Sequence, residues 1–359
     1  MLPNWPDVLL SGSEKSGQRE LEMRSPSKAR KGLLSPGRLA RKSIDIMYMA
    51  RDFLGMVTHT DYYHPRARLG SYFVDGRSYY VDFRKKVEWK GKYVEGVPAL
   101  FIPSSKRYIL FPGMVLQYGI GAVDSFFNTG DKRYLSFVAD VYAWIVTSVT
   151  PNYSFDNYSA EMNSGAEFFS NNSGMTQGLA LSFLSRVVTC DLVKGVSEEA
   201  VTLMRSMYAN MLQSLENGGT AIYEGEDLYF CEYCQKDREV ILNGWVFAAF
   251  GLHDCEKMFE PAVATSAFQK TLRSLGKRAG DYMMPGSNWS YYDNKGRTAS
   301  PTYQLLHICL MDALYRLSSV ETFGELRKRL QKGNNCTNIG KYTLVKVMDK
   351  IRDSDVYSR

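Results

Sequence analysis

The sequence has no hydrophobic run long enough to cross a membrane. Of its 359 residues 45% are hydrophobic, but the longest apolar stretch, residues 240–252, is broken by Asn243 and Gly244. A membrane-spanning helix needs roughly 18 or more consecutive apolar residues. The opening residues Met1 to Asp7 also lack the basic start and the apolar core of a secretory signal. We therefore expect a soluble, cytoplasmic protein without a membrane span.

Groups that bind transition metals are also scarce. The chain has 4 histidines and 6 scattered cysteines, a usage typical of a reducing compartment. Cys231 and Cys234 have the CxxC spacing of a zinc or redox half-site, but no second CxxC and no HxxxH accompanies them. The sequence disfavours a zinc site.

Positive charge is concentrated at the N-terminus. The net charge is +6, and residues 1–42 alone carry 9 Lys or Arg against 4 Asp or Glu. The segment 25–32, rich in Ser, Pro, Lys and Arg, has too little apolar surface to fold, so we predict a flexible basic tail over 1–42. A nearly neutral remainder argues against nucleic-acid binding and leaves room for an acidic polymer held by a few placed cations.

Residues 43–107 predict a short helix followed by β structure. Ser43–Val57 has apolar residues at helical spacing. Residues 70–83 form two β-rich runs around Asp75-Gly76, a pair suited to a tight hairpin turn, and Val87–Val94 resembles a second, shorter hairpin. We expect a small N-terminal antiparallel β module.

From residue 108 to residue 359 helical patterns dominate and repeat. Helical runs begin near Gln117, Gln177, Asn243 and Tyr303, and each is followed by a second, more amphipathic helix. A repeat of about 60 residues with two helices per unit indicates helical hairpins packed side by side. The predicted fold is mainly α, an incomplete α/α toroid of helical hairpins with the small β module.

Two insertions between these units, 218–233 and 286–297, are not helical in pattern and are rich in tyrosine and acidic groups. Loops of this kind carry function, and aromatic platforms next to carboxylates suit the apolar faces and hydroxyl edges of sugars. A polysaccharide is therefore the expected ligand.

Ordered motifs then point to one family. Glu232-Tyr233, residues 240–245 (VILNGW) and residues 251–254 (GLHD) resemble the EY, VLNG[FW] and GLYD block of the C-terminal domain of D-glucuronyl C5-epimerases. These enzymes convert glucuronate to iduronate within heparan-type chains such as heparosan. Further landmarks follow in order, so the resemblance covers about residues 100–330: Gln117-Tyr118-Gly119, Gly130-Asp131, residues 173–178 (SGMTQG), Tyr292-Asp293, and residues 299–303 (ASPTY) with His307-Ile308.

The resemblance implies removal of the C5 proton, α to a carboxylate, and return of a proton to the opposite face. No redox cofactor is needed. By position, the catalytic residues would be Glu232, Tyr233, Tyr292 and Tyr303. We expect Glu232 and Tyr303 to form the opposed acid–base pair, with Tyr233 and Tyr292 holding the carboxylate or ring hydroxyls.

The predicted substrate-binding residues include two candidates for the substrate carboxylate. Lys295 stands where animal members have the Arg of Tyr-Asp-Leu-Arg, or it is only a solvated lysine of a turn, and Arg297 is its rival. Asn243 either binds hydroxyls or caps its helix. Gln304 departs from the family, because a histidine commonly follows the last motif tyrosine. The full predicted set is Gln117, Tyr118, Gln177, Asn243, Lys295, Arg297 and His307.

Three other functions remain open. A polysaccharide lyase begins with the same proton abstraction, and a glycoside hydrolase would use two of Glu224, Glu226, Asp227 and Glu232. The third is a glycan-binding protein without activity. Family members with a β module suggest a structural Ca²⁺, but Asp75 and Asp82 form no recognisable calcium loop. The partner predictions are a glucuronate-containing acidic polysaccharide, with a homodimer as an open alternative to a monomer.

Overall fold

The computed structural model describes Tyr62 and residues 65–102, 106–159, 166–260 and 266–356, with side chains to residue 349. The predicted tail 1–42 and the predicted helix Ser43–Val57 lie outside these residues. Within the described part of the chain, no helix is both long and apolar enough to cross a bilayer.

The first described segment contains a helical turn where a hairpin is predicted. Helix α1 (Tyr72–Asp75) replaces the hairpin at Asp75-Gly76, and that prediction is wrong. The Asp75 carboxylate accepts hydrogen bonds from the backbone N–H groups of Arg77 and Ser78, at 2.8 and 2.9 Å. Gly76, with φ of 68°, ends the turn by donating to the Tyr72 carbonyl. Local hydrogen bonding by Asp75 therefore overrides the β-rich composition.

Small antiparallel hairpins follow further along the chain than predicted. The turn of the first lies at Glu95-Gly96, whose positive φ values of 51° and 77° suit a two-residue hairpin turn. The predicted hairpin over Val87–Val94 is thus displaced, because Arg84–Glu88 is a 3₁₀ helix. The strands are β1 (Tyr93–Val94) paired with β2 (Val97–Pro98), and β3 (Leu100–Ile102) paired with β4 (Arg107–Ile109).

Four helical pairs confirm the predicted repeat, with each first helix starting within five residues of the predicted position. Ser173 and Ser300 cap two of these starts through their side chains, and Pro112 and Pro301 occupy first helical positions. The pairs are α2 (Pro112–Thr129) with α3 (Arg133–Ser148), α4 (Gly174–Thr189) with α5 (Ser197–Met211), α6 (Leu242–Phe259) with α7 (Ala267–Arg278), and α8 (Pro301–Ser318) with α9 (Glu321–Gly333). A last helix, α10 (Cys336–Val356), packs against α8.

The first helices of the pairs pack in sequence, α2 on α4, α4 on α6 and α6 on α8, and each also packs on its own partner. The closest approach joins α4 to α6, where a Cβ added to Gly251 would lie 2.3 Å from the Cα of Gly178. Only glycine allows this backbone contact. The fold is thus mainly helical with a few small antiparallel sheets, and closure into a toroid stays a prediction.

Both insertions are non-helical, as predicted. The first carries a hairpin of β5 (Ala221–Glu224) and β6 (Asp227–Phe230). The second packs under α10, where the rings of Trp289 and Tyr342 stack with centroids 4.3 Å apart.

A buried ion pair attaches the N-terminal segment to the helices. Arg186 of α4 and Asp254 of α6 are 4% and 5% exposed and lie 2.7 Å apart. The Tyr80 hydroxyl donates to Asp254 at 2.8 Å, and Arg186 donates to the carbonyls of Arg77 and Ser78. Residues 77–80 are thereby fixed against α4 and α6.

Candidate active site

A cavity of about 360 Å³ lies at the N-terminal ends of the four first helices. Gly113, Met175, Asn243 and Thr302, each the second residue of its helix, line it. This volume is in the range of small-molecule sites. Because helix N-termini carry partial positive charge, four of them around one cavity favour an anionic ligand.

The predicted catalytic residues converge at this cavity. Glu232, Tyr233 and Tyr303 line it, and the ring of Tyr292 meets that of Tyr303 edge-on with centroids 4.7 Å apart. Two short segments and the start of α8 therefore supply one cluster of a carboxyl and three phenols.

Backbone bonds hold the Glu232-Tyr233 segment. Cys231, which precedes it, donates to the Thr220 carbonyl at 3.1 Å and accepts from the Gly174 N–H at 2.8 Å. The first bond joins the segment to the start of the first insertion, and the second joins it to the start of α4. Glu232 therefore sits on a fixed backbone rather than on a free loop.

Glu232 is only 6% exposed. The Asn243 side-chain amide donates to its Oε2 at 3.2 Å, and a Cβ added to Gly244 would lie 2.7 Å from the same oxygen. Burial raises the pKa of Glu232 to about 7, although the Asn243 hydrogen bond and the Arg297 charge act in the opposite direction. This carboxyl exchanges protons near neutral pH.

The three tyrosines differ in acidity. Burial and the neighbouring Glu232 raise the pKa of Tyr303 to about 12, whereas a hydrogen bond from Tyr292 lowers it. Burial raises the pKa of Tyr292 and Tyr233 further above the ordinary tyrosine value. Tyr303 is therefore the phenol of this cluster that loses its proton most readily.

The second insertion is held in place by hydrogen bonds to its neighbours. The Tyr292 carbonyl accepts from the Leu242 N–H at 3.1 Å, and the Asn294 N–H donates to the Val240 carbonyl at 3.0 Å. These contacts join the insertion to the start of α6. Tyr292 is thereby held in the region where Asn243 contacts Glu232.

Gln304 and His307 anchor the same insertion from α8. The Gln304 side-chain oxygen accepts from the Ser290 N–H and hydroxyl at 3.0 and 2.9 Å, and its amide donates to the carbonyls of Asn288 and Leu330. His307 is fully buried with Nδ1 2.8 Å from the Ser290 hydroxyl, and burial lowers its pKa to about 3. Neither side chain lines the cavity. Gln304 therefore holds the second insertion in position.

Gln117 and Asn243 are the predicted binding residues that line the cavity. The cap alternative for Asn243 is wrong, because α6 begins at Leu242 after Ile241 and makes no side-chain cap. The Asn243 Oδ1 is buried and has no hydrogen-bond partner among the described residues. A role of Asn243 in substrate binding stays a prediction.

The other predicted binding residues lie outside the cavity lining. Tyr118 is buried against Tyr93 and Phe137, with ring centroids 6.2 and 5.6 Å away. The Gln177 amide donates to Asn210 at 2.7 Å. Both residues are part of the helical core.

Both predicted carboxylate-binding cations have protein partners. Lys295 donates to the Asp237 carbonyl at 2.6 Å. Arg297 forms ion pairs with Asp293 and Glu239, and its guanidinium lies 5.5 Å from the centroid of the Tyr292 ring. Neither lines the cavity, and a role in substrate binding stays a prediction for each.

The chain matches the sequence model of one family, described as D-glucuronyl C5-epimerase C-terminus, over residues 147–332. The chain belongs to this epimerase family. The match spans just over half of the chain, begins later than the residue 100 predicted, and includes Glu232, Tyr233, Tyr292 and Tyr303. No curated protein matches the sequence.

Part of the cavity in this epimerase-family chain comes from residues before the matched region. Arg66, Asp82 and Lys86 line it, and sequence analysis did not single them out as substrate-binding residues. Asp82 accepts a two-pronged hydrogen bond from Arg84, at 3.0 and 2.7 Å. Lys86 is 2% exposed whereas Lys85 is 63% exposed, and nothing in the run Arg84-Lys85-Lys86 marks which side chain turns inward.

Metal binding by the epimerase-family chain remains a prediction. Among the described residues, no three His, Cys, Asp or Glu side chains are grouped so as to hold a metal ion. Asp75 and Asp82 line a separate cavity of about 250 Å³, but N–H groups and Arg84 already bind them. Cys231 and Cys234 are free thiols with sulfurs 2.8 Å apart.

Proposed function

We propose that this protein is a polysaccharide uronate C5-epimerase that converts D-glucuronate to L-iduronate within a glycan chain. The observation that carries the proposal is the juxtaposition of Glu232, whose pKa is about 7, with Tyr303 at a cavity ringed by helix N-termini. Membership of the epimerase family supports the same reaction class.

Glu232 takes the C5 proton in this proposal. With burial raising its pKa to about 7, a carboxylate base is available near neutral pH. When the C5–H bond breaks, its electron pair moves into the adjacent carboxylate group and gives an enolate. The partial positive charge of the helix N-termini around the cavity stabilises the charge that develops.

Tyr303 then returns a proton to the opposite face of C5. Its pKa of about 12 keeps the hydroxyl protonated at neutral pH, and the hydrogen bond from Tyr292 stabilises the phenolate left behind. Tyr233 lines the cavity beside Glu232 and orients the sugar ring. Proton exchange with water restores both groups, and no external co-reactant is consumed.

The substrate class we propose is a glucuronate-containing acidic polysaccharide. We further propose that the row of helical pairs is an incomplete α/α toroid whose cleft lies at this cavity. The aromatic residues of the two insertions would border such a cleft.

The hydrolase alternative has little geometric support. Glu224, Glu226 and Asp227, its predicted partners for Glu232, do not line the cavity, and Asp227 is held by Lys277 and Arg278 at 3.2 and 3.3 Å. A lyase would use the same base to form the same enolate. That enolate would then break the chain by elimination instead of regaining a proton at C5.

Product analysis separates these functions. The full chain is incubated with a heparosan-type polymer and with other glucuronate polymers, and products are followed by NMR and ultraviolet absorbance. We expect new iduronate signals in chains of unchanged length. An unsaturated uronate that absorbs in the near ultraviolet would show a lyase, and new reducing ends would show a hydrolase; either result would overturn the proposal.

A further inference from the structure

Two buried thiols flank the Glu232-Tyr233 segment. We propose that Cys231 and Cys234 are a redox modification site, at which exchange with a small-molecule disulfide forms a bond that holds the segment in place. Formation of this bond does not depend on the proposed function, which enters only through the role given to Glu232.

The two sulfurs already lie in contact. They are 2.8 Å apart, whereas bonded sulfurs are about 2.05 Å apart, so bond formation needs a movement of about 0.8 Å. The Cys234 thiol also donates to the Gly219 carbonyl at 3.6 Å, which helps to fix the position of its sulfur. Oxidation of the pair therefore requires only a small local adjustment.

Backbone hydrogen bonds hold both ends of the segment. The Cys231 carbonyl accepts from the Gly174 N–H, and the Cys234 carbonyl accepts from the Phe169 N–H, each at 2.8 Å. A bond between the two sulfurs closes a ring across positions that are already fixed, so Glu232 keeps its place. Because such a ring restricts the open state of the segment, it opposes local unfolding around the proposed base.

The exchange is supplied by a disulfide such as oxidised glutathione. One cysteine thiolate attacks a glutathione sulfur, forms a mixed disulfide and releases one glutathione thiolate. The other cysteine then attacks the protein sulfur of the mixed disulfide and releases the second glutathione. Two protein thiols are oxidised, one glutathione disulfide is reduced to two thiols, and the two protons pass to the released thiolates.

The surroundings of the pair make this exchange slow. Burial raises the pKa of the Cys231 thiol well above its ordinary value, so little of the reactive thiolate is present at neutral pH. Exposed residues follow soon after Cys234, beginning with Lys236, so opening of this short stretch admits the oxidant. The same burial protects the oxidised pair from reduction.

The test equilibrates the full chain in glutathione buffers of increasing oxidation, followed by alkylation and peptide mass mapping. A second sample is refolded from urea in the same buffers, so that burial of the native thiols cannot prevent their reaction. The variants are Cys231→Ser, Cys234→Ser, and Cys336→Ser as a control at an exposed thiol. Thermal melting checks folding, and alanine replaces serine where a variant does not fold.

We expect wild type and Cys336→Ser to form one internal disulfide, mapped to Cys231 and Cys234, which neither of the other two variants can form. Amide hydrogens of residues 231–236 should exchange about tenfold more slowly in the oxidised wild type than in the reduced one, because the closed ring opposes local opening. The value of kcat on a heparosan-type polymer should be the same in both states.

Four results would overturn the inference. They are free thiols at both positions after refolding, a glutathione adduct in place of the internal bond, an unchanged rate of hydrogen exchange, and a disulfide that abolishes kcat. If the disulfide forms and slows hydrogen exchange in a chain that makes no iduronate in either state, the inference stands and the proposed function fails.

Discussion

At the scale of single residues, the surroundings give the carboxyl and the three phenols of the cluster different pKa values. Burial raises the pKa of Glu232 to about 7. The hydrogen bond from Tyr292 keeps the pKa of Tyr303 below those of the other two phenols. One group is thus partly ionised and the other fully protonated at the same pH. A reaction that takes a proton from one face and returns one to the other needs this difference.

Removal of the Tyr303 hydroxyl should abolish most turnover without loss of binding. Tyr303→Phe keeps the ring that lines the cavity but removes the proton donor, so we expect kcat to fall about 10²- to 10⁴-fold with little change in affinity for a glucuronate oligosaccharide. The control is Tyr291→Phe, since Tyr291 lines a different cavity. Near-normal kcat in Tyr303→Phe would exclude this residue as the donor.

The pH dependence of the rate should report Glu232. As the base, it must be ionised, so the rate should fall tenfold per pH unit well below its pKa of about 7. Asn243→Ala removes a hydrogen bond that lowers this pKa, so the acid limb should move to higher pH. A rate that increases as the pH falls below 7 would contradict the assignment of Glu232 as base.

The sequence motifs name the four residues that the structure brings together, whereas no pattern marks the lysine that lines the cavity. Glu232 and Tyr233 are adjacent in a motif, so their identity is a local property of the chain. Lys86 acquires its position only when a 3₁₀ helix turns it inward, and Lys85 next to it has the same chemistry. No local pattern separates the two.

At the scale of elements, the helix starts were predictable and the first β turn was not. Serine caps and first-position prolines mark helix starts directly in the sequence. Asp75-Gly76 has the composition of a hairpin turn, yet the Asp75 carboxylate binds the N–H groups of Arg77 and Ser78, and Gly76 ends a helical turn. Hydrogen bonds between a side chain and nearby backbone groups compete with strand pairing. The tertiary contacts of the flanking residues decide which of the two forms.

Gln304 should affect kcat by holding the second insertion in place rather than by transferring a proton. Gln304→Leu removes the acceptor for both Ser290 groups and the donor to Asn288, so Tyr292 should lose its fixed contact with Tyr303. We expect kcat to fall about tenfold or more, as a misplaced catalytic group costs, with an unchanged acid limb of the pH–rate profile. The control is Gln331→Leu, because Gln331 is exposed. An acid limb shifted in Gln304→Leu would indicate direct proton transfer instead.

At the scale of the whole molecule, the cavity is assembled from distant parts of the chain. Residues 65–86, the four first helices and the segment after β6 all contribute to it. The Arg186–Asp254 pair and Tyr80 join the first of these parts to the helices. Sequence patterns located the four first helices and the Glu232 segment, but they predicted the wrong secondary structure at Asp75-Gly76 and did not place residues 65–86 at the cavity.

Loss of this buried pair should destabilise the protein strongly. Burial opposes ionisation of Asp254, but Arg186 lowers its pKa below the usual range, so its contribution is present at neutral pH and is lost as pH falls through the lowered pKa. Asp254→Ala leaves Arg186 buried without its partner and should cost about 3–5 kcal/mol in the free energy of unfolding. Glu216→Ala, which breaks the exposed pair with Arg238, should cost less than about 1 kcal/mol. Equal losses in urea unfolding would contradict this account.

The most direct test of the central claim is deuterium incorporation at C5. The full chain is incubated with a heparosan-type polymer in D₂O, and exchange is followed by NMR, with Glu232→Gln and Tyr303→Phe alongside. We expect deuterium at C5 of both glucuronate and new iduronate in intact chains. Glu232→Gln should lose both signals, whereas Tyr303→Phe should lose the iduronate signal and keep exchange into glucuronate, because Glu232 can still remove and return the C5 proton on its own face. Wild-type protein that binds the polymer but incorporates no deuterium at C5 would contradict it.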